Sequence, residues 1–371
     1  MEKEYKTELL KVDRNNFDPA CLLPAAGLLA AGELVAFPTE TVYGLGGNAM
    51  DLGASQRIYA AKGRPSDNPL IVHISEKEEL LKVGRDVPEI ALRFAERFWP
   101  GPLTLIVKRA EIIPKTTTGG LDTVAVRLPS DEIARALIRL SGVYVAAPSA
   151  NKSGRPSTTR AEHCMEDLDG RIPMVIDGGP VKIGLESTIV DCTNETTEDG
   201  VKKIKPLVLR PGYITLEKLR EIEPATEYDP AVIARVKNEN IKAKAPGMKY
   251  RHYAPKGAFV IYEGDADRVI ARINEEVGRM KALGRKTAVL ATEESKDFYN
   301  ADIVVSLGRR DDEEEIAARL FDVLRSFDEM GAEAIFGECF ETKGVGQAIM
   351  NRLMKAAGYN IVSCNDITGK K

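Results

Sequence analysis

Eight short apolar runs, each bounded by Gly, Pro, Ser or Asn, recur along the first two-thirds of the 371-residue chain. They are rich in Val, Ile and Leu, which favours β-strands. Helical patterns separate some runs, near residues 51–62, 88–99, 131–140 and 160–168, whereas other runs follow one another directly. The spacing therefore predicts an α/β fold with a twisted mixed sheet. The predicted strands cover residues 34–37, 70–74, 103–107, 123–128, 143–147, 174–177, 187–191 and 206–210.

A more regular alternation begins near residue 257. One helical pattern there places Ile316, Leu320 and Phe327 on one face, starts with acidic residues and ends near Gly331, as expected for a helix packed on a sheet. Strands that alternate with helices predict a smaller C-terminal domain with a parallel sheet of Rossmann-like topology. The predicted strands cover 258–262, 287–291, 302–306 and 332–337, and a last helix covers 347–357.

Residues 221–256 separate the two patterns. They contain four prolines and few apolar runs, and their second half, 241–256, carries five Lys or Arg residues and no acid. A connection of this length inside a compact protein is usually a linker or a functional loop. The sequence thus predicts a catalytic domain over 1–220, an interdomain linker over 221–256 and a C-terminal domain over 257–371.

The composition of the chain argues against several classes of function. The formal net charge of −4 argues against nucleic-acid binding through a generally positive surface. Five cysteines without a C-x-x-C spacing and only three histidines argue against a zinc site and a disulfide scaffold, so no protein-bound metal is predicted. The start of the chain has no apolar signal core, and the uncharged run at 19–32 is too short to cross a bilayer. We expect a cytoplasmic protein without a membrane partner.

The segment PTETVYGLGG at residues 38–47 directly follows a predicted strand. It brings hydroxyl groups to the edge of a sheet, and its glycines allow the backbone to approach a ligand closely. A tight turn with ordinary hydroxyl caps explains the same residues equally well.

Two cations stand close together in AKGRPSDNPLIVHI, residues 61–74. Lys62 and Arg64 suit a polyphosphate, because lysine offers a point charge and arginine a planar fork. A solvated basic turn is the commoner role for such a pair. His73, considered alone, is more typical of a core or edge residue than of a catalyst.

The segment AAPSANKSGRPS at residues 146–157 follows another predicted strand. It does not match the G-x-S-x-G nucleophile elbow, and no adjacent histidine could activate Ser149. We therefore interpret it as a binding loop. Polar residues also stand at three strand ends, namely Arg127, Ser187 and Arg210, which is a common way to line a pocket at a sheet edge.

Taken in order, PTETVYGLG, KGRPSDNPL, PSANKSGRPS, ESTIVD and LRPG resemble the YrdC-like domain of the threonylcarbamoyl-AMP synthase family. This resemblance extends over about residues 10–220. The segment PGMKYRHYAP at 246–255, followed by a Rossmann-like region, is similar to the long two-domain form of that family. The order of the motifs is highly specific, although each motif alone is not.

The resemblance implies an activity and roles for individual residues. L-Threonine, bicarbonate or CO2, and ATP would give threonylcarbamoyl-adenylate and pyrophosphate, and a downstream tRNA threonylcarbamoyl-transferase enzyme would modify adenosine beside the anticodon. The catalytic tetrad of the family corresponds to Lys62, Arg64, Ser149 and Asn151. By similarity, ATP would contact Arg64, Asn68, Thr123, Ser149, Ser157 and Arg210. Threonine would contact Thr41, His73, Arg127 and Ser187.

This reaction requires no enzyme nucleophile, which agrees with the absence of one in the motifs. The site must instead position the substrates and compensate charge at the phosphates, for which ATP would bring Mg²⁺. Because a carbamate hydrolyses readily in water, we expect the site to close, and the basic linker with Tyr250, His252 and Tyr253 is the predicted lid. A plain tether is the alternative.

Two other functions remain open at this point. A concave basic site together with the basic linker could bind RNA weakly, and such binding would weaken steeply with salt. The C-terminal domain could also bind a ligand of its own, as Rossmann-like sheets often do, although no motif points to one. GVGQAI at 344–349 fails the dinucleotide fingerprint and fits a helix start better.

Overall fold

The computed structural model describes residues 5–198, 201–234, 244–246 and 252–365. The chain divides into two compact units. Among the described residues, the first unit contains 5–153, 157–198, 201–234 and 244–246, and the second contains 252–365 with the short segment 154–156. None of the helices in these ranges combines the length and the apolar character that a membrane span requires.

The first unit alternates strands and helices as predicted. Its strands are β1 Glu8–Lys11, β2 Val35–Phe37, β3 Gly44–Asn48, β4 Ile71–His73, β5 Gly84–Arg85, β6 Leu103–Arg109, β7 Thr123–Arg127, β8 Val145–Ala146, β9 Met174–Asp177, β10 Thr188–Asp191, β11 Glu195–Glu198, β12 Val201–Ile204, β13 Leu207–Arg210 and β14 Glu227–Tyr228. Its helices are α1 Leu23–Ala30, α2 Leu52–Lys62, α3 Leu80–Val83, α4 Glu89–Phe98, α5 Glu132–Ser141, α6 Ala161–Leu168, α7 Leu216–Arg220 and α8 Pro230–Ile233.

One large sheet organises this unit. In the described part of the chain its order is β1-β9-β2-β3-β8-β4-β7-β6-β10-β13-β14, with β5 paired to β6. Parallel pairs such as β4 with β7 stand beside antiparallel pairs such as β6 with β7. The predicted mixed sheet is thus confirmed, and β11 and β12 form a separate hairpin.

The two faces of the central strands differ in character, because side chains alternate along a strand. On one face, residues such as Leu105, Val107 and Val126 pack with α4 and other apolar groups in the main core. On the other face, His73 of β4, Arg127 of β7 and Thr104 of β6 form one row across the sheet, since His73 and Thr104 both pair with Arg127. The sheet therefore carries a polar row on the face opposite its main core.

The apolar part of this second face is also covered. Ile71, Ala125 and Ile106, one row along from the polar residues, form a cluster with Ile189, Leu209 and Ala245. Lys244 lies 3.3 Å from the buried carboxylate of Asp191. Part of the predicted linker thus packs on the face that bears the polar row.

The first unit extends beyond residue 220, the predicted end of the catalytic domain. β14 pairs with β13 in parallel, and α8 follows it at once. The segment 221–234 therefore forms the sheet edge rather than a free connection. Tyr250 lies outside the described residues.

Of the two interpretations of 38–47, the structure contradicts the tight turn at its glycines, because Gly44–Asn48 form strand β3. β3 pairs with β2 and β8. A Cβ atom built on Gly46 would lie 2.8 Å from both the Phe37 ring and the Val145 side chain. The glycines therefore give these neighbours room to pack against a central strand.

The second unit is the predicted smaller α/β domain with a parallel sheet. Its strands are β15 Ala258–Glu263, β16 Thr287–Ala291, β17 Ile303–Ser306, β18 Ala334–Glu338 and β19 Ile361–Ser363, and its helices are α9 Ala266–Ala282, α10 Glu313–Glu329 and α11 Gly346–Ala356. The sheet order is β17-β16-β18-β15-β19, and every pair in it is parallel. Asp312 caps α10 by accepting a hydrogen bond from the Glu315 amide. Gly331 follows that helix at a φ of +68°.

Replacement of Gly46 by alanine tests the close packing of β3. We expect Gly46→Ala to lower the free energy of unfolding of the first unit by about 1–3 kcal/mol, because the added methyl overlaps two buried side chains. Gly27→Ala is the matched control, since an added Cβ there meets nothing within 4 Å, and it should raise stability by up to about 1 kcal/mol. Denaturant unfolding checks both. Equal effects would contradict the packing argument.

Candidate active site

A buried lysine joins α2 to the loop with the sequence PSAN at residues 148–151, called the PSAN loop below. Lys62 is the last residue of α2, and only 3% of it is exposed. Its Nζ donates hydrogen bonds to the carbonyl oxygen of Ser149, at 2.5 Å, and to that of Asn151. The Ser149 hydroxyl in turn donates to Asn151 Oδ1 at 2.5 Å. Three residues of the predicted tetrad therefore meet directly.

Arg64 lies on the loop after α2. Gly63, at a φ of +61°, ends the helix, and Arg64 Nη2 donates to the carbonyl oxygens of Pro69, at 3.2 Å, and Asn68, at 3.5 Å. Asn68 is buried, and its Oδ1 has no hydrogen-bond partner among the described residues. The loop thus brings the guanidinium of Arg64 to the backbone of Asn68, the next predicted ATP ligand.

Arg127 of the polar row forms an ion pair with Glu40, which lies in the segment after β2. Arg127 Nη2 lies 2.8 Å from Glu40 Oε2, and both side chains are at most 8% exposed. Beside them, burial and then the positive charge of Arg127 lower the pKa of His73 to about 3. His73 Nδ1 lies 3.1 Å from the carbonyl oxygen of Ile71. The imidazole of His73 is therefore neutral at neutral pH and stands beside the Arg127–Glu40 ion pair.

A second polar group shares Thr104 with the row and adds Ser187, which directly precedes β10, and Arg210, which ends β13. The hydroxyls of Thr104 and Ser187 are 2.7 Å apart, and both residues are fully buried. Arg210 donates to the Ser187 hydroxyl at 3.0 Å and to its carbonyl oxygen at 2.9 Å. The structure thus places two predicted ligands, Ser187 and Arg210, in contact.

The remaining predicted site residues do not share one set of contacts. Thr41 is buried next to Thr39, with their hydroxyls 2.8 Å apart. Ser157 donates to Glu186 Oε1 at 2.5 Å. Thr123 stands at the start of β7, about 13 Å along the strand from Arg127, so the structure does not bring it to the polar row.

Glu40, Thr104 and Glu186 are among the residues of these networks that were not predicted from the sequence. Glu40 lies inside the PTET segment and Glu186 directly precedes Ser187, so position next to a motif was a usable signal for both. Thr104 interrupts an otherwise apolar run, LTLIV. Its polarity at an alternating position was its only signal.

The predicted lid residues are described only in part. Within the second unit, the Tyr253 ring lies 5.0 Å from that of Phe321 and 5.5 Å from that of His252, and the guanidinium of Arg352 lies 5.9 Å from it. Tyr253 is 5% exposed. Its ring is therefore part of the packing of that unit.

The second unit contains a cavity of about 490 Å³ at the carboxyl edge of its sheet. Four carboxylates and one guanidinium line it, from Glu294, Asp311, Glu313, Glu341 and Arg310. The Glu313 carboxylate also accepts a hydrogen bond from the Val345 amide at 2.9 Å, where α11 begins. Because helix N-termini otherwise attract anions, this carboxylate and its acidic neighbours disfavour a phosphate group there.

Family comparisons cover both units. A family model described as "Telomere recombination" matches residues 27–212, and one described as "Threonylcarbamoyl-AMP synthase, C-terminal domain" matches residues 214–358. Together the two matches span most of the chain.

Individual relatives match over nearly their whole length. The chain is 48% identical over 338 residues to the threonylcarbamoyl-AMP synthase of Pyrococcus abyssi, which is 91% of this chain and 94% of the relative. It is 48% identical over 339 residues to the Bacillus subtilis protein of the same name, covering 91% and 93%. The crystal structure of P. abyssi Sua5 complexed with L-threonine matches with a TM-score of 0.88 and 46% identity, covering 96% of this chain and 99% of that one.

The low pKa of His73 predicts a stability change with pH. Below about pH 6.5, an unfolded histidine binds a proton that the folded one does not, so stability falls as pH drops toward 3, by about 1.4 kcal/mol per pH unit. His73→Gln should remove this contribution, giving a shallower dependence between pH 6 and 4. Urea unfolding of both proteins across this range measures it. Parallel curves would contradict a neutral buried His73.

Proposed function

The chain belongs to the threonylcarbamoyl-AMP synthase family, and we propose that it converts L-threonine, bicarbonate or CO2, and ATP into threonylcarbamoyl-adenylate and pyrophosphate. The product supplies the threonylcarbamoyl group that modifies tRNA beside the anticodon. The observation that carries the proposal is the match to threonylcarbamoyl-AMP synthases over nine-tenths of the chain. Contacts among the predicted residues support it, since Lys62 holds the loop that contains Ser149 and Asn151, and Arg210 contacts Ser187.

The chemistry needs two bond-forming steps. The neutral threonine amine attacks CO2 and releases one proton, which gives a carbamate that keeps one N–H. A carbamate oxygen then attacks the α-phosphorus of ATP, and pyrophosphate leaves with the electrons of the broken P–O bond. Neither step requires a covalent bond to the protein, so the side chains position the reactants and compensate charge.

We assign the threonine end to the polar row. Arg127 would bind the substrate carboxylate through its planar fork, and the neutral His73 would add no second positive charge. Thr41 and Ser187 would meet the rest of the amino acid with their hydroxyls. A buried hydroxyl network discriminates threonine from valine well, because valine leaves those groups without a partner.

We assign the ATP end to the two loops that Lys62 joins. Arg64, Asn68, Ser149 and Asn151 lie on these loops, and Ser157 and Arg210 come from neighbouring segments. Lys62 would act partly through the loop, since its ammonium group holds the carbonyls of Ser149 and Asn151. Thr123 stays a prediction from similarity, because it lies at the far end of β7.

Mg²⁺ would enter with ATP. Among the described residues, no group of three or more His, Cys, Asp or Glu side chains is arranged to hold a metal ion. Mg²⁺ commonly keeps several waters and binds through substrate phosphates, which suits a site of this kind. When bound, the ion would neutralise charge on the phosphates.

We further make three proposals. First, the linker closes the site. Second, a tRNA threonylcarbamoyl-transferase enzyme takes the product, and third, this protein and that enzyme act in the cytoplasm. The burial of Ala245 beside the polar row supports the first. Product chemistry supports the second, because an adenylate of this kind must be used before water destroys it. Five cysteines without a C-x-x-C spacing are typical of a reducing compartment.

A pyrophosphate-release assay tests the activity and the role of Lys62. The full chain with Mg²⁺ should release pyrophosphate only when threonine, bicarbonate and ATP are all present. Lys62→Met should lower kcat/KM at least about 100-fold, because a buried cation and the loop it holds are both lost. Lys202→Met, at a lysine with a 79% exposed side chain, is the control. No threonine-dependent release from the unmodified chain would refute the activity.

A charged residue at position 245 tests the linker. Ala245→Glu should lower kcat/KM for threonine at least about tenfold, because a carboxylate cannot stay in the apolar cluster and the segment must leave the sheet. Ala30→Glu, at an exposed position, should leave the kinetics unchanged. Thermal unfolding separates misfolding from a local effect. Unchanged kinetics in a folded Ala245→Glu protein would mean that the linker only tethers the two units.

A further inference from the structure

Glu40 carries a buried charge to which neither the motifs nor the proposed reaction gives a role. Only 6% of the residue is exposed. Its Oε2 lies 2.8 Å from Arg127 Nη2, and its Oε1 accepts a hydrogen bond from the Ser130 amide at 3.2 Å. The carboxylate thus connects the segment after β2 to the end of β7. A burial of this kind is costly unless the charge has a partner.

Arg127 carries the opposite charge, which is also buried and also requires a partner. It is 4% exposed, and among the described residues its Nε and Nη2 atoms make no hydrogen bond of good geometry. The contact with Glu40 therefore compensates its charge without using up its hydrogen-bonding capacity. A guanidinium has five N–H donors, so one carboxylate of the protein leaves room for one carboxylate of a ligand.

The neighbours of Arg127 cannot replace Glu40. His73 is neutral at physiological pH, because burial and Arg127 itself lower its pKa. Thr104, the other partner of Arg127 in the row, has a hydroxyl that pairs with Ser187. Among these described neighbours, Glu40 alone supplies a negative charge to the guanidinium.

We propose that Glu40 is a positioning residue, which holds the guanidinium of Arg127 in the orientation that receives the carboxylate of threonine. This inference rests on the proposed function. Glu40 acts through Arg127 rather than on the reacting atoms, so its loss weakens threonine recognition and leaves ATP recognition in place. Loss of the Glu40 carboxylate has two opposing effects. It removes a group that competes with the threonine carboxylate for Arg127, but it also leaves the buried guanidinium without its fixed partner. The second effect dominates in a desolvated site.

Threonine binding and pyrophosphate release by the full chain test this role together. Glu40→Gln keeps the size of the side chain and removes its charge. Calorimetry should show a threonine Kd raised at least about tenfold. The KM for ATP should stay within about twofold of the unmodified value, because ATP does not contact this pair. Glu276→Gln, at a buried carboxylate of α9 in the second unit, should change neither constant.

A double-mutant cycle distinguishes positioning from a purely structural role. In an Arg127→Gln background, Glu40→Gln should add no further loss of threonine affinity, because its only route to the substrate is gone. Additive losses, or an unchanged Kd for Glu40→Gln, would overturn the inference. Glu40→Asp, which keeps the charge on a shorter side chain, should give an intermediate Kd and replaces Glu40→Gln if that protein does not fold.

The same measurements separate this inference from the activity. If the unmodified chain binds threonine but releases no pyrophosphate, the proposed reaction fails while the Kd values still decide the role of Glu40. If it binds no threonine, both fail. If it is active and Glu40→Gln matches it in every constant, only the role of Glu40 is lost.

Discussion

The site depends on the two-residue alternation of the central strands. Because β4, β6 and β7 place every second side chain on the face opposite the main core, His73, Thr104 and Arg127 form a row while Val72, Leu105 and Val126 stay in the core. A shift of register by one residue would exchange the two sets. The same hydrogen bonds that form the sheet therefore also place the groups that we assign to threonine.

The second constraint is that each buried charge needs a partner, and the first unit supplies such partners in two different ways. The ammonium group of Lys62 donates hydrogen bonds to two backbone carbonyls of the PSAN loop, so its charge also fixes the shape of that loop. Arg127 has its charge compensated by one carboxylate and keeps donors for a ligand. The lysine thus shapes the site, whereas the arginine remains ready to bind, and this difference follows from the geometry of the two cationic groups.

Much of the fold could be predicted because its strands are apolar and its turns are marked by Gly and Pro. Residues 174–177 and 287–291 form strands with the predicted bounds. β3 could not be predicted, since three of its first four residues are glycines and its stability comes from the neighbours that pack on it. Helix α1 was missed for a similar reason, because its uniformly apolar sequence lacks the periodicity that identifies a helix. The ordered motifs identified the family, yet the contacts of Glu40 and Thr104 are with partners distant in sequence, Arg127 and Ser187, which sequence patterns do not pair.

The most direct test of the account is a crystal structure of the full chain with L-threonine and a non-hydrolysable ATP analogue. We expect the threonine carboxylate within hydrogen-bond distance of the Arg127 guanidinium and the phosphates beside the loops that contain Arg64 and Ser149. Threonine bound on another surface, or phosphates remote from these loops, would contradict it.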